Sequence, residues 1–164
     1  MSENYLVING KKAELTEEQL KALGIKVKKN PFAKVGKMER YMFIDADGSV
    51  TSATGDGIGF GNKLYSVTNY FNDEYFANQI ALHQLLNRKL LKFAWDNGYE
   101  DTQEWGGYNF HWCIYYNYNN KRLEAGPWGN YKQRDVYFSS REGAKRAIKE
   151  VVEPFVKEHP EFKW

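Results

Sequence analysis

The chain has 164 residues, with 23 basic and 21 acidic side chains for a formal charge of +2. That is long enough for one full hydrophobic core and short for two, and the charge balance excludes a protein drawn to polyanions by net charge alone. Aromatic residues make up 16% of the chain, so core and binding face should both be ring-rich, and the lone Cys113 excludes an intramolecular disulfide framework.

The first four residues lack the basic-then-apolar pattern of a secretion signal, and no run approaches the roughly 18 apolar residues that span a bilayer, so a cytoplasmic protein without a membrane partner is expected. Residues 5–8 and 11–15 flank Asn9-Gly10, a pair suited to a two-residue hairpin turn. Thr16 with Gln19 forms a capping box for a short helix whose apolar stripe is Leu20 and Leu23 and whose stop is Gly24. This unit, residues 1–25, is too small to stand alone and is expected to dock on the rest. Residues 26–40 follow as a basic connector, with Lys26, Lys28, Lys29, Lys34, Lys37 and Arg40 around Asn30-Pro31-Phe32. It reads as a solvated linker or, more sharply, as a phosphate-contacting arm.

The remaining residues, 41–164, form an α+β body with a degenerate repeat over 41–96 and 110–158. In the first half a strand at 41–44 turns at Asp47-Gly48 into a second strand from Val50. A third strand ends at Asn69-Tyr70-Phe71, and a helix covers about 73–96. In the second half a strand from Phe110 turns at Asn119-Asn120 into one around Leu123. A third ends at Val136-Tyr137-Phe138, and a helix covers about 140–157. Ser139 with Glu142 is expected to cap that helix, and Ala77 falls where Ala144 does. The first long helix should bury Tyr75, Gln79, Leu82, Leu86, Leu90 and Phe93, widened by Phe76, Ile80 and Leu91. The last should bury Ala144, Ala147, Ile148, Val151, Val152 and Phe155, with Pro154 at a kink. The expected fold is a largely antiparallel sheet with the long helices on one face and the N-terminal hairpin and helix alongside. The strand from Phe110 carries rings on both faces, which suggests a central position with one face free for contact.

Several residue groups invite chemistry. The run Gly55-Asp56-Gly57-Ile58-Gly59-Phe60-Gly61 lacks the spacing and the Lys-Ser/Thr ending of a phosphate loop, and a strand is expected to follow it. His111 and Cys113 share a strand face, but two ligands do not make a metal site, and His83 and His159 have no spacing that completes one. Asp45 and Asp47 read as turn aspartates, and Glu100, Asp101 and Glu104 as loop acids. No catalytic, cofactor-binding or metal-binding residues are therefore assigned. An enzyme, the competing class, would most readily use His111, Cys113 and Glu104. The remaining signal is recognition chemistry. Tyr115, Tyr116, Tyr118, Trp128 and Tyr131 are interleaved with Lys121, Arg122, Lys132 and Arg134 and with several asparagines, a mixture that suits protein interfaces and single-stranded nucleic acid alike. These nine residues form the expected partner-binding surface.

The run from Tyr5 to Leu20, the segment from Glu39-Arg40-Tyr41 through Gly48, and the stretch from Asp135-Val136-Tyr137-Phe138 through Glu158-His159-Pro160-Glu161-Phe162-Lys163-Trp164 together resemble a loose family of phage and prophage proteins of Gram-positive bacteria. The resemblance spans most of the chain and carries over no active-site residues. It implies an accessory factor, without enzymatic turnover, that inhibits a host protein or protein–nucleic acid complex, such as a CRISPR or other defence system. A nucleic-acid-binding protein, a protein that sequesters a small nucleotide, and an unrecognised enzyme stand as alternatives.

Overall fold

The computed structural model describes residues 5–8, 10–24, 30–55, 59–100, 105–106, 109–129, 132–133 and 135–164. Strands β1 (Tyr5–Ile8) and β2 (Lys11–Glu14) pair antiparallel, from Tyr5 opposite Glu14 to Ile8 opposite Lys11. Gly10 takes φ +76°, as a two-residue hairpin turn requires, and Asn9 lies outside the described residues. Helix α1 (Glu17–Ala22) begins in the expected capping box. Gln19 N donates to Thr16 Oγ1 at 3.2 Å, and Thr16 N donates to Gln19 Oε1 at 2.9 Å. Leu20 is buried, whereas Leu23, expected beside it, is exposed.

Strands β3 (Arg40–Ile44) and β4 (Val50–Thr54) form a second antiparallel hairpin, and β5 (His111–Asn117) and β6 (Arg122–Trp128) a third. The α+β class and the antiparallel pairing are as expected, but the strands are divided over three two-stranded sheets instead of one broad sheet. The difference lies in the two segments predicted as third strands, each of which shrinks to one bridge. Phe71 exchanges both backbone hydrogen bonds with Met42, at 2.8 and 2.7 Å, and Phe138 does the same with Trp112, at 2.7 and 3.1 Å. In the first half a side chain takes the next rung: Asn69 Nδ2 donates to Ile44 O and Asn69 Oδ1 accepts from Ile44 N, both at 2.8 Å. Thr68, at φ +59°, turns the backbone out of the ladder just before it. In the second half the Tyr137 hydroxyl accepts from Gln133 N at 2.8 Å, so that amide bonds a side chain instead of a strand neighbour.

The two halves nevertheless repeat one unit: a hairpin, a bridging phenylalanine, a helix cap two residues on, and a helix. Asp73 caps α3 (Glu74–Asp96) by accepting from Phe76 N at 2.8 Å, and Ser140 caps α4 (Arg141–Ala147) by accepting from Gly143 N at 3.0 Å. The second cap is therefore Ser140 and not Ser139, whose hydroxyl donates to Gly98 O at 2.8 Å. Ala77 and Ala144, each four residues past its cap, are fully buried.

Helix α2 (Phe60–Ser66) occupies a stretch read as loop and strand. The glycine-rich run is thus followed by a short helix, entered at Gly59 with φ +83°, and the reason given for excluding a phosphate loop holds only for its spacing and ending. In α3 the buried face is Ala77, Ala81, Leu82, Leu86, Leu90 and Ala94. Tyr75 and Leu91 are exposed because they lie off this face, whose three alanines allow a close backbone approach. After α4 the chain runs on through a π-helical turn (Ile148–Val152) into α5 (Glu153–Glu158). Pro154 explains the turn: it offers no N–H to the carbonyl four residues back and its ring crowds that carbonyl, so the helix widens ahead of it.

Helix α3 joins the cores of the two halves. Ala77 packs with Met42 and Phe71, and Leu82, Leu86, Leu90 and Ala94 pack with Cys113, Ile114, Phe138, Ala144, Val152 and Phe155. Tyr41, Phe43 and Tyr70 form a smaller cluster on the first hairpin. The described part of the basic connector is tied to this body. The Phe32 ring contacts those of Phe71 and Phe76, and Asn72 Nδ2 donates to the carbonyls of Asn30 and Ala33. Among the described residues no helix is long and apolar enough to cross a membrane.

Candidate functional site

Strand β5 lies between β6 on one side and the bridge to Phe138 on the other. It was expected to differ between its two faces, and it differs instead between its two ends. His111 to Ile114 are buried or half-buried whichever face they occupy, whereas Tyr115 to Asn117 run out beyond the core toward the turn. Burial along the strand is set by how far α3 and α4 reach, and that reach is not encoded in the strand's own alternation.

On the outer end one face presents Tyr115 and Asn117 opposite Glu124 and Arg122. Glu124 organises the group. Its Oε1 accepts from Arg122 Nε and Asn120 Nδ2, both at 2.8 Å, and its Oε2 accepts from Asn117 Nδ2 at 3.0 Å and the Tyr115 hydroxyl at 3.2 Å. The Arg122 guanidinium, then the two asparagine amides, hold the Glu124 carboxyl down at about 2. Asn117 Oδ1 also accepts from the backbone of Asn119 and Asn120, closing the turn, and Lys121 takes φ +51° to return the chain into β6. Glu124 was not singled out from the sequence. A signal was present, since Arg122 and Glu124 share a strand face and stand opposite Asn117 and Tyr115, but the register had to be known to read it.

Of the nine expected contact residues, the structure gathers five at this end. Tyr118 is 80% exposed and its ring meets Tyr116 edge-on at 5.1 Å; Tyr115, Lys121 and Arg122 are also exposed, and Tyr116 is half-buried. Trp128 stands apart from them, half-buried against the main core at the inner end, with its Nε1 enclosed and without a hydrogen-bond partner among the described residues. Lys132 is exposed, its ammonium 6.0 Å from the centroid of the Trp105 ring. Tyr131 and Arg134 lie outside the described residues.

The residues considered for catalysis sit at the inner end. His111 is 1% exposed and stacks on Trp105 at 3.9 Å with 9° between the ring planes; neither ring nitrogen has a hydrogen-bond partner among the described residues. Cys113 is buried beside it on the same face, its thiol directed at Gly126 O at 3.8 Å, and burial, reinforced by the charge of Asp135, pushes the thiol up to about 11. Glu104 lies outside the described residues. Asp45 and Asp47 serve the β3–β4 turn, where Asp47 Oδ1 accepts from Ser49 N at 2.8 Å and Gly48 N donates to Asp45 O at 2.9 Å. Among the described residues no three His, Cys, Asp or Glu side chains converge as a metal-binding group. Comparison of the chain with protein-family models, with curated proteins and with solved structures finds no match.

Proposed function

We propose that this chain is a phage-encoded binding protein that inhibits a host protein or protein–nucleic acid complex, such as a defence system, by covering part of its surface with the outer end of the β5–β6 hairpin. The observation that carries the reading is the Glu124 carboxylate, which ties Tyr115, Asn117, Asn120 and Arg122 into one arrangement at the end of the hairpin where Tyr118 is exposed against Tyr116. A contact surface held in place before binding loses less side-chain freedom on association, and tyrosine and arginine dominate the energetics of many interfaces. The resemblance to phage and prophage proteins supports a partner in the host cell.

The test is capture from host lysate with tagged protein, with and without nuclease, read by mass spectrometry and repeated with Tyr118→Ala. A defence complex that survives nuclease and falls at least about tenfold with Tyr118→Ala, the loss of one interface anchor of about 1.4 kcal/mol, supports the reading. Undiminished capture by Tyr118→Ala overturns the assigned surface. The exposed Lys121, Arg122 and Lys132 favour a second reading, direct nucleic-acid binding, which predicts recovery of nuclease-sensitive RNA or DNA and an affinity that falls steeply with salt.

A further inference from the structure

The connector segment 34–37, the start of β3 and the first turn of α2 enclose a cleft of about 190 Å³ whose lining includes Lys34, Lys37, Tyr41, Gly55, Gly61 and Asn62. We propose that this cleft binds a compact phosphate ester, of the size of a sugar phosphate. It uses none of the residues of the β5–β6 surface and stands independently of the function proposed above.

Charge and size select the ligand. Lys37 is exposed and forms no hydrogen bond or ion pair with any described residue. Lys34 donates to Asn62 Oδ1 at 2.9 Å and lies 4.5 Å over the Tyr65 ring, so its ammonium is held at the cleft with donors to spare. Two ammonium groups at one small opening suit a phosphate dianion, for which lysine is a common partner. The nearest acid on this segment, Glu39, has its carboxylate occupied by the Gly36 amide at 2.7 Å, at the cleft wall, where the two lysines outnumber it. The volume lies below the roughly 300 Å³ at which sites for drug-sized ligands begin, so the cleft is too small to surround a dinucleotide and suits a phosphate with a small organic group. That group would meet the buried rings of Tyr41 and Tyr70, stacked 4.3 Å apart at 15°.

The walls are also held in an unusual backbone. Met38, a non-glycine residue, sits at φ +67°, fixed by Met38 N donating to Gly55 O and Gly55 N donating to Glu39 O, both at 2.8 Å. Strain of this kind is retained where surrounding structure enforces it, and it concentrates at ligand clamps. The two walls approach so closely that a β-carbon on Gly55 would stand 3.0 Å from Gly36 O.

The experiment is a titration of the ¹⁵N-labelled chain with ribose 5-phosphate, inorganic phosphate and ribose at constant ionic strength, followed by amide shifts. The expected result is saturable shifts at Gly36, Gly55 and Gly61 with both phosphate compounds, the ester binding more tightly, and none with ribose. Lys37→Gln, which removes no contact of the fold, should weaken ester binding about tenfold, the loss of one charge-assisted hydrogen bond of about 1.4 kcal/mol, and Lys34→Gln/Lys37→Gln should abolish it. Shifts confined to other amides, a response to ribose equal to that for its phosphate, or binding that survives in a folded double variant would each overturn the proposal.

Discussion

The ring of Tyr115 lies across Gly126 on the neighbouring strand, its Cε1 2.5 Å from where a β-carbon on that glycine would sit. No other residue at 126 leaves room for the ring in this position, and the ring in this position is what lets the Tyr115 hydroxyl reach Glu124. Gly126→Ala should therefore swing Tyr115 outward while leaving the hairpin paired. The expected cost is about 1 kcal/mol of stability, typical of a single local change, measured by denaturant unfolding. Loss of the ring-current shift at residue 126 would report the displaced ring, and an unchanged shift would show that the strand moves instead.

Glu124 should make the outer hairpin acid-sensitive. Its carboxyl is held at about 2 in the folded chain against an ordinary value of 4.5, so its contribution to order is complete above the ordinary value and is lost as the pH falls through about 2. Amide signals of Asn117, Asn119 and Asn120 should hold steady from neutral pH to about 4.5 and broaden below about 3, ahead of signals from α3. Glu124→Gln should show the loosened turn already at pH 7, with Arg122 released.

Local chemistry made much of this molecule legible before its fold was known. The Thr16 and Gln19 capping box, the turns at Asp47-Gly48 and Asn119-Asn120, and the extents of α3 and of the last helix all follow from residues within a few positions of one another. What stayed hidden depends on distant partners. Asn69 replaces a strand rung because Ile44 lies beside it, and Trp128 is half-buried because it packs against the main core at the inner strand end. Asn69 was legible as the end of a strand and Trp128 as a contact residue, and what each side chain meets across the fold was not written in its neighbours.

Cys113 should be unreactive in the native protein. Its thiol is buried and pushed up to about 11, so almost none is thiolate at pH 8, and the thiolate is the nucleophile. A colourimetric disulfide reagent should modify it at least about a hundredfold more slowly in buffer than in denaturant, in line with the small thiolate fraction. Rapid labelling without unfolding would show that the inner end of the hairpin opens readily.

The sharpest test of the inner end is His111. Its imidazole is enclosed and stacked on Trp105, with Tyr137 edge-on at 6.0 Å, and its two nitrogens have no hydrogen-bond partner among the described residues. Removing an unpartnered buried polar group returns its desolvation cost of about 1–3 kcal/mol, and a slightly larger ring costs a similar amount in crowding. His111→Phe should accordingly remain within about 1 kcal/mol of the parent, whereas His111→Ala, which empties the slot against Trp105, should lose about 3 kcal/mol. If both variants lose stability equally, the nitrogens contribute what the ring shape does not. Because His111 is also the residue an enzyme would most readily use, the phenylalanine variant separates packing from chemistry. A protein that keeps its fold and its partner capture with Phe at this position uses the imidazole as a filler of the core. One that keeps its fold and loses its activity uses it as a reacting group, and the chain is then an enzyme.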